Sequence, residues 1–285
     1  MKILVCGGDE RSAHLCRALC EAGHEVAALC LENAALPPGC RLVNAPERAQ
    51  VVILPVPACR DTQGELLNAP LGVSPCPTAD ILDAAGEGAL VIGGRLDDKL
   101  THAAHERGQR VRDYMLMPEF TAKNAAVTAE GAVCRLMDAS DTALCDESVL
   151  VVGWGRIGKL LMQKLAALGA SVCLMSSHAD SRAMAQALGY PSLAPKSGRA
   201  MLQGFDAVIN TAPAPVISEL CAFREGCRIF ELASAPGGID AHEAVSAGLK
   251  YTALPALPGK YAPRSAARAV FCAVTEIIKE SGEND

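Results

Sequence analysis

Short apolar runs alternate with amphipathic stretches along the first half of the chain. The runs KILVCGG, HEVAALCL, VVILPV, ALVIGG and RVRDY predict strands, and ERSAHLCRALCEAG and stretches near 78–86 and 97–107 predict helices. The Pro-rich pieces ALPPG (35–39) and VSPCPT (73–78) predict loops. Strands that alternate with helices of this length predict βαβ units and a parallel sheet.

The second half repeats the alternation. SVLVVG, ASVCLMS, DAVINTAP, CRIFELAS and LKYTAL predict strands, and RIGKLLMQKLAALG, SRAMAQALG and a last stretch near 264–281 predict helices. Between the halves, the Ala-rich TAKNAAVTAEGAVCRLM (121–137) predicts a connecting helix. The sequence therefore predicts an α/β fold of two doubly wound parallel-sheet (Rossmann-like) domains with a ligand cleft between them.

The predicted domains follow from this alternation. Residues 1–120 form an N-terminal substrate or partner domain, residues 121–140 the connecting helix, residues 141–262 a nucleotide-binding domain, and residues 263–285 a C-terminal helix. The length of 285 residues suits two domains at roughly 100–200 residues each.

A glycine-rich turn opens the second half. In VLVVGWGRIGKLL (149–161), Gly153 ends an apolar strand, Gly155 lets the backbone approach a pyrophosphate, and Gly158 permits close packing of helix on strand. The helix that follows offers free N–H groups to phosphates. The sequence predicts a dinucleotide site, which also includes the turn residues Trp154, Arg156 and Ile157.

A similar turn near the N-terminus, CGGDERSAHL, differs in its chemistry. After Gly7 and Gly8 the third glycine is missing, and Asp9 and Glu10 place carboxylates where a pyrophosphate needs donors. We expect no second dinucleotide there. Two interpretations of Asp9 stay open: it caps the first helix, or it faces the cleft with Arg11 and touches substrate.

The strand about 20 residues beyond the first glycine of the fingerprint distinguishes the two nicotinamide nucleotides. It ends in CLMSSHADSR, with no carboxylate at the tip to bond a ribose 2′-OH. Ser176, Ser177, His178 and Arg182 suit a 2′-phosphate, which favours NADP and leaves NAD as the alternative. Asp180 is predicted to be the N-cap of the next helix.

Later strand ends complete the predicted cofactor set. Asn210 and Thr211 follow DAVI, and Ala233 follows CRIFEL. Because strand ends line the cofactor crevice, we expect Asn210 and Thr211 to approach the nicotinamide ribose.

Composition narrows the function classes. Hydrophobic residues make up 50% of the chain, charged residues 20%, and the net charge of −6 comes with no basic block, which argues against nucleic-acid binding. The N-terminus lacks an apolar signal region, and no apolar run reaches about 18 residues, so we expect a cytoplasmic protein. The 13 cysteines contain no CxxC pair, and those within apolar stretches (Cys6, Cys30, Cys173) are predicted to be buried thiols in a reducing compartment. Cys16 and Cys20 share a helix face near His14 without a second ligand pair.

Five segments together resemble the family of the dipicolinate synthase A subunit of spore-forming bacteria. They are GGDER, NAAVTAEGAV, VVGWGRIGK, ELASAPGGID (231–240) and LPALPGKYAPRSA (254–266), and they span nearly the whole chain. The arrangement is more distantly similar to S-adenosylhomocysteine hydrolase, alanine dehydrogenase and the 2-hydroxy-acid dehydrogenases.

The resemblance implies that the chain works with a smaller, flavoprotein-like partner, the B subunit of dipicolinate synthase. The pair would convert dihydrodipicolinate, a product of the lysine pathway, to dipicolinate in the mother cell of a sporulating bacterium, with a pyridine nucleotide as hydride acceptor. The resemblance leaves the oligomeric state open, a homo-oligomer included.

This oxidation requires groups that hold two carboxylates and one that accepts a proton. The candidates for carboxylate binding are Arg95, Lys123, Ser234, Lys260 and Arg264, with Lys260 and Arg264 in a predicted GKYAPR loop. For each cation the alternative is a solvated surface residue, which is the common environment of Lys and Arg. The candidacy of Ser234 and Arg264 depends on the resemblance.

Thr128 and Glu130 lie on the connecting helix, where Thr128 would bond substrate and Glu130 would take a proton or orient a cation. The alternative is a polar pair that faces water. His102, His105 and His242 lie in polar stretches and are expected at the surface.

Two other functions remain compatible with the sequence. One is an NAD(P)-dependent dehydrogenase of a small amino or hydroxy acid. The other is a non-catalytic nucleotide-binding scaffold, because a nucleotide site looks the same whether or not catalysis follows.

Overall fold

Two six-stranded parallel sheets organise the chain in the computed structural model, which describes residues 1–61, 63–217, 219–234 and 237–283. Each sheet belongs to its own unit: Met1–Asn124 with Pro258–Asp285, and Ala125–Leu257. The predicted α/β class with two doubly wound parallel sheets is confirmed.

The first unit has the strand order β3-β2-β1-β4-β5-β6. Its elements are β1 (Lys2–Cys6), α1 (Glu10–Glu21), β2 (Glu25–Leu29), β3 (Cys40–Val43), β4 (Val51–Ile53), α2 (Thr78–Ala85), β5 (Leu90–Gly93), α3 (Asp98–Glu106) and β6 (Arg110–Asp113). The helix α4 (Pro118–Asp138) then leads into the second unit.

The second unit has the order β12-β11-β10-β7-β8-β9. It contains β7 (Ser148–Val152), α5 (Arg156–Ala167), β8 (Ser171–Met175), α6 (Ala179–Ala187), β9 (Ser192–Leu193), α7 (Arg199–Leu202), β10 (Ala207–Asn210), β11 (Arg228–Glu231), α8 (Ala241–Ser246) and β12 (Lys250–Ala253). The order reverses at β7, which has β8 on one side and β10 on the other, so ligands are expected at this point.

The strand register places four residues side by side at the carboxyl edge of the second sheet. Met175 pairs with Val152, Val152 with Asn210, and Asn210 with Glu231. Because all these strands are parallel, the loops that follow them leave from one edge. Any group that these loops carry is therefore concentrated there.

The last two helices, α9 (Leu257–Tyr261) and α10 (Pro263–Glu283), complete the first unit. Leu15, Cys16 and Leu19 of α1 share one buried cluster with Val270 and Val274 of α10. The C-terminal helix therefore covers one face of the N-terminal sheet.

Several local predictions differ from the structure. The strands β3 and β9 and the helices α7 and α8 were not predicted from the pattern. The prediction of a loop over GKYAPR is wrong, because Lys260 lies in α9 and Arg264 lies in α10. Only Ala262 lies between the two helices. Asp180 is not an N-cap: α6 begins at Ala179, and the cap position is His178.

The long helices carry polar and charged residues along their length. No helix among the described residues is both long and apolar enough to cross a membrane.

Candidate nucleotide site

The glycine turn of the second unit leaves a helix N-terminus uncapped. Gly155 is the N-cap of α5, no side chain caps the helix, and its first turn contains no acidic residue. Free N–H groups and the positive end of the helix dipole attract anions. The turn is therefore equipped to receive a phosphate.

Two of the three glycines are required by close approach. A Cβ built on Gly158 would overlap the carbonyl oxygen of Gly153, and one on Gly153 would lie 2.7 Å from Thr211 Oγ1. Gly153 also has φ of +99°, a backbone conformation that favours glycine. These contacts bring α5 onto the end of β7, as the fingerprint requires.

Gly155 is different, because a Cβ there would meet no atom within 4 Å. Its φ of −76° and ψ of −171° are open to any residue. Nothing within the described protein therefore demands glycine at this position. In the dinucleotide fingerprint, a glycine at this position lets the backbone approach a pyrophosphate.

Trp154 stands in the turn beside Gly155. Its side chain is half-buried, and Lys159 Nζ lies 5.8 Å from the ring centroid, within the range of a cation–π contact. Thr211 supports the turn from the neighbouring strand: its Oγ1 donates to Val152 O at 2.8 Å, and its N–H donates to the same oxygen at 2.9 Å.

The end of β8 carries the predicted adenosine-side residues. Ser176 is buried, its Oγ accepts the N–H of His178 at 3.2 Å, and Ser177 and His178 are exposed. Arg182 folds back onto this loop, where its Nη1 donates to Ser176 O at 2.7 Å and to Ser177 O at 3.1 Å. The structure thus brings all four residues together at one strand end.

Asn210 and Glu231 form a buried polar pair at the ends of β10 and β11, with exposed fractions of 1% and 5%. Asn210 Nδ2 donates to both carboxylate oxygens of Glu231, at 2.8 and 2.9 Å, and to Ala212 O at 3.0 Å. Asn210 Oδ1 accepts the N–H of Ala212 at 3.1 Å. The Asn210 side chain is thus engaged within the protein.

The Glu231 carboxylate also holds the loop that carries Ala233 and Ser234. It accepts backbone N–H groups from Ala233 at 2.8 Å and from Gly238 and Ile239 at 3.1 Å. A Cβ on Gly238 would lie 2.6 Å from Ala212 O, so this loop packs closely on the one after β10. Ser234 is exposed, and Ala235 and Pro236 of the ASAPGG segment lie outside the described residues.

Glu231 was missed in the sequence. A charged residue directly after the apolar RIF run was the available signal, but its partners come from Asn210 and from residues two to eight positions further on. Only the folded loop shows that they converge.

The two polar candidates on α4 have different surroundings. Thr128 is buried, whereas Glu130 is exposed and receives Lys164 Nζ of α5 at 2.9 Å. The Glu130 side chain is 62% exposed and that of Lys164 is 32% exposed. This ion pair ties α4 to α5 within the second unit.

In the first unit, Asp9 caps α1. Its carboxylate accepts the N–H of Arg11 at 3.1 Å and the Arg11 guanidinium at 2.7 and 2.9 Å. Arg11 Nη2 also donates to Val56 O at 3.1 Å. The capping interpretation of Asp9 is confirmed. The capped helix N-terminus contrasts with the uncapped one of α5.

Asp9 also contacts the C-terminal segment. A Cβ on Gly259 would overlap the Asp9 carboxylate, so only glycine allows α9 to lie against it. The structure therefore joins GGDER and LPGKYAPRSA, two of the segments that carry the family resemblance. Tyr114 lies nearby, and burial raises the pKa of its phenol, with Asp113 and Asp9 adding to the rise and Arg11 opposing it.

The first-unit candidates for carboxylate binding are all exposed. They are Arg95, Lys123, Lys260 and Arg264. Arg95 has φ of +56°, and the Asp113 carboxylate accepts its N–H at 3.2 Å and that of Leu96 at 2.9 Å. His102, His105 and His242 are exposed as predicted.

The described part of the chain contains no cluster of side chains suited to a metal ion. No group of three or more His, Cys, Asp or Glu side chains there could hold an ion. Burial raises the pKa of Cys173 to about 11 and that of Cys227 to about 12.

The chain is similar in sequence to known proteins. Residues 2–115 match the family described as the N-terminal domain of the dipicolinate synthase A subunit. The dipicolinate synthase A subunit of Bacillus subtilis (strain 168) is 24% identical over 289 residues, covering 98% of this chain and 96% of the relative.

Two solved structures share the fold. The dipicolinate synthase A subunit from Bacillus halodurans has a TM-score of 0.86 at 23% identity, with 97% of each chain covered. An L-alanine dehydrogenase has a TM-score of 0.65 at 15% identity, covering 98% of this chain and 89% of the other. The fold is thus shared with a dehydrogenase as well as with the synthase structure. The resemblance of the whole chain to the dipicolinate synthase A subunit is confirmed.

Proposed function

We propose that this chain is the oxidoreductase A subunit of dipicolinate synthase. Together with the B subunit it would oxidise dihydrodipicolinate to dipicolinate, with NADP as hydride acceptor. The observation that carries the proposal is the uncapped, glycine-lined N-terminus of α5, in a chain whose residues 2–115 match the model of this family. A dinucleotide is the ligand that this turn fits, as the free space at Gly155 indicates.

The phosphates would be held by the backbone of the turn from Gly153 to Gly158, which includes Trp154, Arg156 and Ile157. On the adenosine side, Ser176, Ser177 and His178 would surround the 2′-phosphate. The two hydrogen bonds of Arg182 use Nη1, and its Nε and Nη2 donate to no described residue. We assign these two groups to the phosphate, because guanidinium binds phosphate through paired N–H donors.

On the other half of the site, Asn210 and Thr211 would shape the wall beside the nicotinamide ribose. Both side chains are bonded within the protein, so they act by fixing the backbone at the ends of β7 and β10. Ala233 and Ser234 follow β11, and Ser234 is exposed and free to bond a substrate carboxylate.

Oxidation of a dihydropyridine to an aromatic ring is downhill, so positioning and charge are the main tasks of the protein. The bound nucleotide supplies the hydride acceptor. Arg95, Lys260 and Arg264 would hold the substrate carboxylates, Thr128 would bond the substrate, and Glu130 would take the departing proton. Glu130 is paired with Lys164, which suits the orientation of a cation as well as acceptance of a proton.

The test uses the purified chain with the B subunit, dihydrodipicolinate and either NADP⁺ or NAD⁺. We expect reduced nicotinamide to form in step with dipicolinate, and faster with NADP⁺. No reduction of either nucleotide would overturn the proposal. If the nucleotide is reduced with alanine or a 2-hydroxy acid as substrate and without the B subunit, the result would instead support an NAD(P)-dependent dehydrogenase of a small amino or hydroxy acid. Omission of the B subunit from the main reaction measures whether the partner is required.

A further inference from the structure

The Glu231 carboxylate is a buried charge with no cationic partner among the described residues. It accepts five hydrogen bonds, two from Asn210 and three from backbone N–H groups. No ion pair joins it to a Lys, Arg or His side chain in the described part of the chain. Hydrogen bonds hold the charge in place and do not cancel it.

The hydrogen-bond partners of Glu231 suit a carboxylate. Every group that bonds its oxygens is a donor, and a neutral carboxyl group would need an acceptor for its own proton. The effect of the charge extends to Tyr251, whose pKa is raised by burial first and then by Glu231 and Asp240. Asp240 is exposed and adds a second negative charge on this side.

The position of Glu231 follows from the strand order. The sheet reverses between β7, β8 and β10, and a dinucleotide lies across such a reversal. Its adenosine half belongs to β8, where the ribose-recognition position lies. Its nicotinamide half therefore belongs to the side of β10 and β11, where Glu231 is the last residue of the strand.

We propose that Glu231 makes this site prefer the oxidised nucleotide, because the oxidised nicotinamide ring carries a positive charge and the reduced ring is neutral. This inference rests on the proposed function, since it requires a nicotinamide nucleotide in this crevice. The preference favours binding of the form that the reaction consumes and release of the form that it produces.

The ratio Kd(NADPH)/Kd(NADP⁺) separates an effect of the Glu231 charge from general damage to the loop. Damage to the loop weakens both redox forms alike, whereas loss of a negative charge weakens the cationic form alone. At an effective dielectric of about 20, a unit charge about 12–15 Å from the ring changes a dissociation constant about six- to tenfold, so we expect removal of the charge to lower the ratio about three- to tenfold.

The experiment compares Glu231→Gln with Glu147→Gln by titration of NADP⁺ and NADPH into each folded variant. Glu147 is a matched control because it is 1% exposed, lies in the same unit and accepts bonds from Arg228 and Thr142 at the amino end of β7. We expect the ratio Kd(NADPH)/Kd(NADP⁺) to fall about three- to tenfold in Glu231→Gln and to stay within about twofold in Glu147→Gln. Glu231→Asp, which keeps the charge, should retain most of the preference.

Equal weakening of both forms by Glu231→Gln, or an unchanged ratio, would overturn the inference and leave the proposed function intact. Failure of the wild-type chain to bind either form would overturn the proposed function. If Glu231→Gln does not fold, the wild type is titrated with NADP⁺ and with its benzamide analogue, whose ring is flat but uncharged. Weaker binding of the analogue supports the inference, and equal binding overturns it.

Discussion

Substitution of Gly155 by valine should weaken nucleotide binding strongly at little cost to the fold. A Cβ at this position meets no atom within 4 Å, and the backbone there is extended. Because valine is a poorer N-cap than glycine, we expect the free energy of unfolding to fall by no more than about 1 kcal/mol. A diphosphate must approach the turn to about 3 Å to accept its N–H groups, and the valine occupies that approach. Affinity should fall at least about 100-fold, or about 2.7 kcal/mol.

Gly158→Ala provides the contrasting variant in the same turn. Its Cβ would overlap the Gly153 carbonyl oxygen, inside the 3.0 Å that real Cβ atoms keep. Overpacking of this kind costs about 1–3 kcal/mol, and a backbone neighbour that cannot rotate away places the expected loss at about 3 kcal/mol. Urea unfolding and calorimetric titration with NADP⁺ measure the two effects separately. A Gly155→Val chain that binds NADP⁺ with wild-type affinity would refute the assignment of the turn.

Four further outcomes are expected. Gly259→Ala should displace the Asp9 carboxylate and lower the stability of the chain by about 1–2 kcal/mol, the value of a helix cap, as followed by urea unfolding. Arg182→Ala should raise the Kd of NADP⁺ at least about tenfold while that of NAD⁺ changes little, since a charge-assisted bond to phosphate is lost; parallel weakening would contradict NADP selectivity. Glu130→Gln should cost less than about 1 kcal/mol, because it removes an exposed ion pair; an accompanying collapse of kcat at unchanged KM would identify Glu130 as the proton acceptor. Burial of Cys173 raises its folded pKa from 9.0 to about 11, so its contribution to stability is complete below pH 9 and is lost as pH rises towards 11; unfolding midpoints that rise over this window would contradict the argument.

The parallel sheets were predictable because their strands are continuous apolar runs. Strands buried on both faces, such as β1 and β7, leave a signal that needs no tertiary information. The strand β3 lacks that signal, since Arg41 and Leu42 are exposed at the sheet edge. The helix α9 was hidden by Gly259 and Pro258, residues that usually end helices and that here serve close packing.

The site was predictable to the extent that its chemistry is local. The turn from Gly153 to Gly158 and the Ser176 strand end are continuous segments, so their spacing alone located them. Glu231 was not predictable, because its role depends on loops that meet only in the folded sheet. The start of α6 was misjudged for a related reason: Asp180 has the preferred chemistry of a cap, but the helix begins earlier.

The position of α10 has a consequence for biosynthesis. The ribosome releases β1 to β6 first, yet the α1 surface of Leu15 and Leu19 stays uncovered until the final helix has emerged. The second unit, an uninterrupted segment, has all of its strands available earlier. Domains generally fold as units during synthesis, so we expect the nucleotide-binding unit to mature before the N-terminal one. The unit that contains the earliest strands is thus completed after the nucleotide-binding unit, once α10 has emerged.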